Sequence, residues 1–217
     1  MKLPFLKKKK FSSAEYWDQR YRSGRTSGAG SYGRLAQYKA DFINDLVKKK
    51  QIKSVVEFGS GDGNQANLFN FSNYLGIDVS DHMVQAAKVR FSDRSGWLFQ
   101  TLEDFCERPS QCELSMSLDV IYHLVEDDVF DAYMKRLTGA ATRFVLVYSS
   151  DHDAATKDIH VRHRNFTKWL AAFAPEFKYV GRWDNPYPQV AGSDPRETSF
   201  AFFQLFKRVC VDGGAGQ

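Results

Sequence analysis

Apolar and polar positions alternate between two periods along most of the chain. Short apolar runs with β-branched or aromatic content stand at 54–58, 74–78, 97–100, 114–122 and 143–149, and each reads as a strand. Between them, apolar residues recur at three- and four-residue steps. Leu35, Tyr38, Phe42 and Leu46 fall on one helical face, as do Phe130, Tyr133, Met134 and Leu137, with Gly139 following as a stop. Ser80 or Asp81 can cap a further helix carrying Met83, Ala86 and Ala87.

Such alternation predicts a parallel sheet with helices on both faces and right-handed crossovers. The C-terminal part departs from it. Two strand-like runs, 178–183 and 199–207, are joined by a loop rich in Pro, Gly and Asp, and neighbouring strands so joined pair antiparallel. The expected fold is α/β: a seven-stranded, mostly parallel sheet with helices on both faces and an antiparallel C-terminal strand.

A length of 217 residues suits one well-buried domain and is short for two large ones. With 30 basic and 26 acidic residues, the charge of +4 permits an anionic partner without demanding one. Lys7, Lys8, Lys9 and Lys10 read as a solvated arm, with contact to phosphates or an anionic membrane surface as the alternative. Cys106, Cys112 and Cys210 are scattered, with no CxxC pair, so neither a disulfide framework nor a zinc site is expected. No apolar run has the length of a signal peptide or of a membrane span, and the expected location is the cytoplasm.

The most specific chemistry lies after the first strand. Glu57-Phe58-Gly59-Ser60-Gly61-Asp62-Gly63-Asn64 carries a buried strand into a glycine-rich turn, which is expected to open a helix and to aim free N–H groups into the crevice. Dinucleotide enzymes use GxGxxG at this place. Here the spacing is GxGxG, Asn64 stands where the third glycine belongs, and Glu57 would repel a pyrophosphate. Asp78 ends the next strand, 21 positions after Glu57, where a carboxylate can accept from both hydroxyls of a ribose.

Glu57 to Asn64 resembles motif I of the class I S-adenosylmethionine-dependent methyltransferases, and Asp78 is similar to the acid that ends their second strand. The resemblance runs from about Glu15 to Lys207 and implies S-adenosylmethionine as cofactor, a cation without phosphate. It implies that Glu57, Gly59 and Gly61 hold the methionine part, flanked by Ser60, Gly63 and Val79. It puts Asp104 beside the adenine, with Glu103 a competing choice. The stretch holding Trp17, Arg20, Tyr21 and Tyr32 resembles an aromatic N-terminal lid, with Arg20 placed against the cofactor carboxylate; the alternative is an amphipathic helix with Trp17 and Tyr21 in the core. The expected organisation is a basic arm at 1–11, one domain at 12–210 with a helical lid at 12–50, and a flexible tail at 211–217.

Methyl acceptors of such enzymes lie past the fourth and fifth strands. There His123 is the candidate general base or a hydrogen-bonded structural residue. Asp119 and Tyr148 join it as catalytic candidates, Asp119 orienting a substrate. Asp119 with Asp151, His152 and Asp153 can be imagined around Mg²⁺, but the pattern is loose and no metal is expected. Tyr32, Tyr122, His152, His160, His163 and Arg164 are candidate substrate contacts. The spacing of His160 and His163 suggests one helical face, and Arg162 and Arg164 add either an anion clamp or a basic turn capping the helix around Trp169. Asp184-Asn185-Pro186-Tyr187 lacks the second proline of the amino-methylating Asn-Pro-Pro-Tyr motif and follows the sixth strand, so it is set aside. The resemblance favours a small-molecule or saccharide-type acceptor methylated on oxygen, over an RNA or protein acceptor or cofactor binding without catalysis, and favours no nucleic-acid partner.

Overall fold

The computed structural model describes residues 11–209; the lysine run, Cys210 and the 211–217 tail lie outside the described residues. Helices α1 (Ser13–Arg22) and α2 (Gly33–Lys49) precede β1 (Val55–Phe58) and β2 (Tyr74–Asp78). Then come α3 (Asp81–Arg90), β3 (Trp97–Thr101), α4 (Leu102–Glu107), β4 (Cys112–Leu118), α5 (Asp127–Gly139) and β5 (Ala141–Ser149). The two-residue strands β6 (Ala154–Ala155) and β7 (Arg162–His163) lead to α6 (Phe166–Phe173), β8 (Phe177–Trp183) and β9 (Phe202–Arg208).

Seven strands form one sheet in the order β3-β2-β1-β4-β5-β9-β8, in which β9 alone runs against its neighbours. The expected α/β sheet is therefore present, and its reversed strand is inserted between β5 and β8. Side chains that alternate along the strands feed two cores. Val55, Phe144, Leu146 and Tyr148 face α2 and α3, while Val56, Phe58, Val145 and Val147 face α5 and α6. Each large apolar side chain so buried contributes about 1.5–3 kcal/mol against exposure.

The chain leaves β1 for β2 on one side, while β4 pairs on the other. Connections leaving the carboxyl ends of β1 and β4 diverge at this reversal and open a crevice between them.

Four local readings need correction. The fourth strand stops at Leu118 because Asp119 takes a left-handed φ of 59°, and a single 3-10 turn spans Ile121–His123. No α-helix follows the glycine loop. Turns and one 3-10 turn, Ala66–Leu68, reach β2, held by i→i+3 bonds at Leu68 and Phe69 and by the Asn44 side chain, which bonds the Leu68 carbonyl and the Asn70 N–H. His160 and His163 do not share a helical face, since β7 pairs with β6 in extended conformation. Ser80 stands at the N-cap of α3 but gives its hydroxyl to Asp18 instead of capping the helix.

Candidate functional site

A cavity of about 410 Å³ fills the crevice. Phe58 and Gly59 from the end of β1, Asp78 and Val79 from β2, and Leu118 and Asp119 from β4 form its floor. Helix α1 is its roof, presenting Trp17 and Tyr21. The roof is tied at both ends. Asp18 accepts from the Ser80 hydroxyl beyond β2 (2.7 Å), while the Ser13 N–H (2.8 Å) and hydroxyl both donate to Glu126 beyond β4. Tyr16 stacks on His160 with ring centroids 4.7 Å apart, and Trp17 meets the edge of His123 at 4.7 Å. Both sequence alternatives for this stretch are thus partly realised: Trp17 faces the cavity from a helix that also buries Tyr21.

In the glycine loop, Gly59, Gly61 and Gly63 take φ of 90°, 56° and 70°, and a Cβ on Gly59 would run into Val120. Every N–H from Gly59 to Asn64 has a partner inside the protein. Gly59 and Ser60 donate to the Ile77 carbonyl (2.7 and 3.0 Å), Gly61 to the Asp78 carboxylate (2.8 Å) and Asp62 to the Ser27 hydroxyl (2.9 Å). Gly63 donates to the Ser60 carbonyl (3.2 Å) and Asn64 to the Asp62 carboxylate (3.0 Å). The free N–H groups expected to face the crevice are therefore absent from this turn, which leaves no cradle for a phosphate.

No protein-family model and no curated protein sequence matches the chain. Solved structures do. The methyltransferase domain of bacterial CtHen1-C superimposes with a TM-score of 0.62 at 18% identity, over 82% of this chain and 100% of that one. Magnesium protoporphyrin IX methyltransferase from Synechocystis PCC 6803, with bound SAH, gives 0.63 at 14% identity, over 90% and 98%. N-methyltransferase NodS from Bradyrhizobium japonicum WM9 gives 0.59 at 12% identity, over 81% and 97%. The chain has the class I methyltransferase fold.

On this methyltransferase fold the acids of the cofactor side stand in different places. Asp78 is on the cavity wall; burial raises its pKa, while N–H groups of Ser80, Gly61 and Val79 pull the other way. Glu57 is not on the wall. It lies beneath the loop, bonded to the Tyr74 hydroxyl, and burial pushes its pKa up to about 7. Asp104 turns back to cap α4, taking the Thr101 N–H while Thr101 takes its own, and is exposed outside the cavity. Arg20 donates to the Thr26 carbonyl (2.7 Å), and Tyr32 donates to Asp62 (2.9 Å), away from the cavity wall. Of the expected cofactor contacts, Gly59, Asp78, Val79 and Trp17 line the cavity; Ser60, Gly61 and Gly63 support the turn from behind.

Beyond β4, Asp119 and His123 are on the wall, while Tyr122 (behind Asp119) and Tyr148 (packed on Phe203) are not. Asp119 receives the Lys39 ammonium on one oxygen (2.6 Å) and the Tyr122 hydroxyl on the other (2.9 Å). His123 shares Nδ1 with the His160 carbonyl (2.9 Å); the carbonyl accepts, so Nδ1 carries the hydrogen and Nε2 keeps its lone pair. Burial pushes the His123 pKa down to about 4.

Arg164 is not an anion clamp. Its buried guanidinium donates to the carbonyls of Leu124 (3.0 and 2.8 Å) and Val125 (2.6 Å) and pairs with Asp127, while Arg162 reaches Val125 and Asp127 from outside. The two arginines bolt the 151–165 segment onto the turn that carries His123. His163 bonds the Ser150 hydroxyl (2.6 Å) and stacks on His152, outside the cavity. Among the described residues no group of three or more His, Cys, Asp or Glu is placed to hold a metal, and no helix is long and apolar enough to cross a membrane.

The sequence reading missed Lys39, whose only signal was a charge interrupting the buried stripe of α2. As cavity residues it also missed Val129, Ala132, Tyr133 and Arg136, which bring one face of α5 to the cavity at helical spacing.

Proposed function

We propose that the chain is an S-adenosylmethionine-dependent methyltransferase that methylates a small-molecule or saccharide-type acceptor on oxygen. One observation carries this reading: every N–H of the glycine loop has a partner inside the protein while a buried carboxylate faces the same crevice. The pyrophosphate of a dinucleotide needs free N–H donors at such a turn. A sulfonium nucleoside has no phosphate, and its ribose can be gripped by the Asp78 carboxylate, which keeps accepting capacity beside its backbone N–H partners. Val79, Leu102, Leu118 and Val120 offer apolar walls for its base.

When bound, such a nucleoside supplies a methyl group on a positively charged sulfur, activated toward in-line displacement. The residues align the acceptor and handle one proton. Nε2 of His123, neutral above about pH 4, accepts the hydrogen bond of the acceptor hydroxyl and receives its proton as the methyl group passes from sulfur to oxygen, while Asp119 orients the acceptor. The α1 roof excludes water and favours an acceptor that the cavity can enclose.

Calorimetry with S-adenosylmethionine, S-adenosylhomocysteine and NAD tests the reading. Binding of the first two is expected; binding of NAD alone overturns it. His123→Gln should lose transfer of a labelled methyl group to candidate glycans while keeping nucleoside affinity. Steeply salt-dependent RNA binding would point to a polymer acceptor instead.

A further inference from the structure

Helix α2 buries Leu35, Ala36, Ala40, Ile43 and Leu46 against the sheet, and Lys39 lies on the same face with 1% of its surface exposed. An ammonium so deeply buried needs a specific partner. Its Nζ meets Asp119 Oδ2 at 2.6 Å, stands 5.3 Å from the centre of the Tyr148 ring, and acts electrostatically on Glu57 beneath the glycine loop.

Three separate elements converge on this pair. Asp119 holds a left-handed backbone, unusual for a residue with a side chain, at the point where β4 stops. Tyr122 fixes its second oxygen. Gly30 approaches from the connection between α1 and α2, where a Cβ would come within 2.6 Å of Oδ2 and 3.8 Å of Nζ. The cavity wall therefore carries a carboxylate whose charge is matched from behind, and the matching charge comes from a helix that contributes no residue to the wall.

We propose that Lys39 is a positioning residue, the resident counter-ion of Asp119, which aims that carboxylate into the cavity and sets how much positive charge the cavity accepts. The proposal rests on the methyltransferase reading, because substrate and product nucleosides differ by the positive charge on sulfur. With Lys39 present, the wall does not over-hold the sulfonium relative to the thioether. Without it, the unmatched Asp119 favours the cation.

The test is the ratio of affinities for S-adenosylmethionine and S-adenosylhomocysteine, measured by calorimetry at pH 8. Lys39→Met should shift the ratio toward S-adenosylmethionine by roughly tenfold, the size expected of one unit charge acting over about 12 Å at an effective dielectric of about 20. Asp119→Asn should shift it the other way by a similar factor. The double variant should return to within about twofold of the parent, and Lys39→Arg should stay there too. If Lys39→Met does not fold, the Asp119→Asn shift and its reversal in the double variant decide. Ratios that stay flat in folded variants overturn the counter-ion role alone. A parent protein that binds neither nucleoside overturns the methyltransferase reading, and this inference with it.

Discussion

The two sides of the crevice are built by different means. On the β1–β2 side the shape comes from the backbone: three glycines at positive φ, a run of N–H groups closed on neighbours, and one carboxylate at a strand end. On the β4–β5 side it comes from long-range side-chain ties. Lys39 reaches Asp119 from 80 positions away, and Arg164 reaches the Leu124 carbonyl from 40. A backbone turn is written in a few consecutive letters. A tie between distant side chains is not.

Four measurements probe that contrast. The largest effect is expected on the second side. Arg164→Met removes three hydrogen bonds, leaving the Leu124 carbonyl without its side-chain donor and the Val125 carbonyl with Arg162 alone, and should lower stability by about 3–5 kcal/mol. Thermal melts should show a fall of roughly 6–20 °C for a chain of this size. If Arg164 instead bound an anionic substrate, the melting temperature would hardly move.

On the first side, Asp78→Ala should weaken S-adenosylmethionine by about a hundredfold, near 3 kcal/mol, as expected for losing two hydrogen bonds to a charged group. A loss under fivefold in calorimetry would separate the acid from the ligand.

Glu57 gives a change of opposite sign. Its folded pKa is about 7 against an ordinary 4.5, so folding binds a proton between those values and stability is lost as pH rises through 7. Glu57→Gln should recover up to about 3 kcal/mol at pH 8, at 1.36 kcal/mol per pH unit, and almost nothing at pH 4.5. Denaturant titrations at both pH values check it. No gain at pH 8 would show that a cation, Lys39 being the nearest candidate, already stabilises the ionised form.

The smallest effect belongs to Asp104→Ala, which removes half of a capping box and should lower stability by about 0.5–1 kcal/mol while leaving nucleoside affinity untouched. A clear affinity loss would restore Asp104 to the adenine.

Legibility followed the same divide. The seven strands of the main sheet (though not the end of the fourth), the reversed β9 and the place of Asp78 could be read from local pattern, because alternation and glycine spacing act over a few residues. The helix expected after Gly63 was not there: only a short connection separates the loop from β2, and Asn44 and Asp62 take up its backbone groups. Glu57 and Asp104, expected at the cofactor, spend their carboxylates on Tyr74 and Thr101. His160, His163 and Arg164 looked like one cluster. In three dimensions they serve a stacking contact, a serine and a pair of carbonyls. Lys39 was invisible because a lysine in a helix ordinarily points to water.

The closed circuit of amides from Gly59 to Asn64 has a further consequence. A turn with no donor left over is complete before anything docks against it, so docking orders no loop and forfeits no backbone entropy there. The purified, empty protein should already protect these amides from deuterium exchange, and addition of a nucleoside should slow their exchange only as far as mass action stabilises the whole domain.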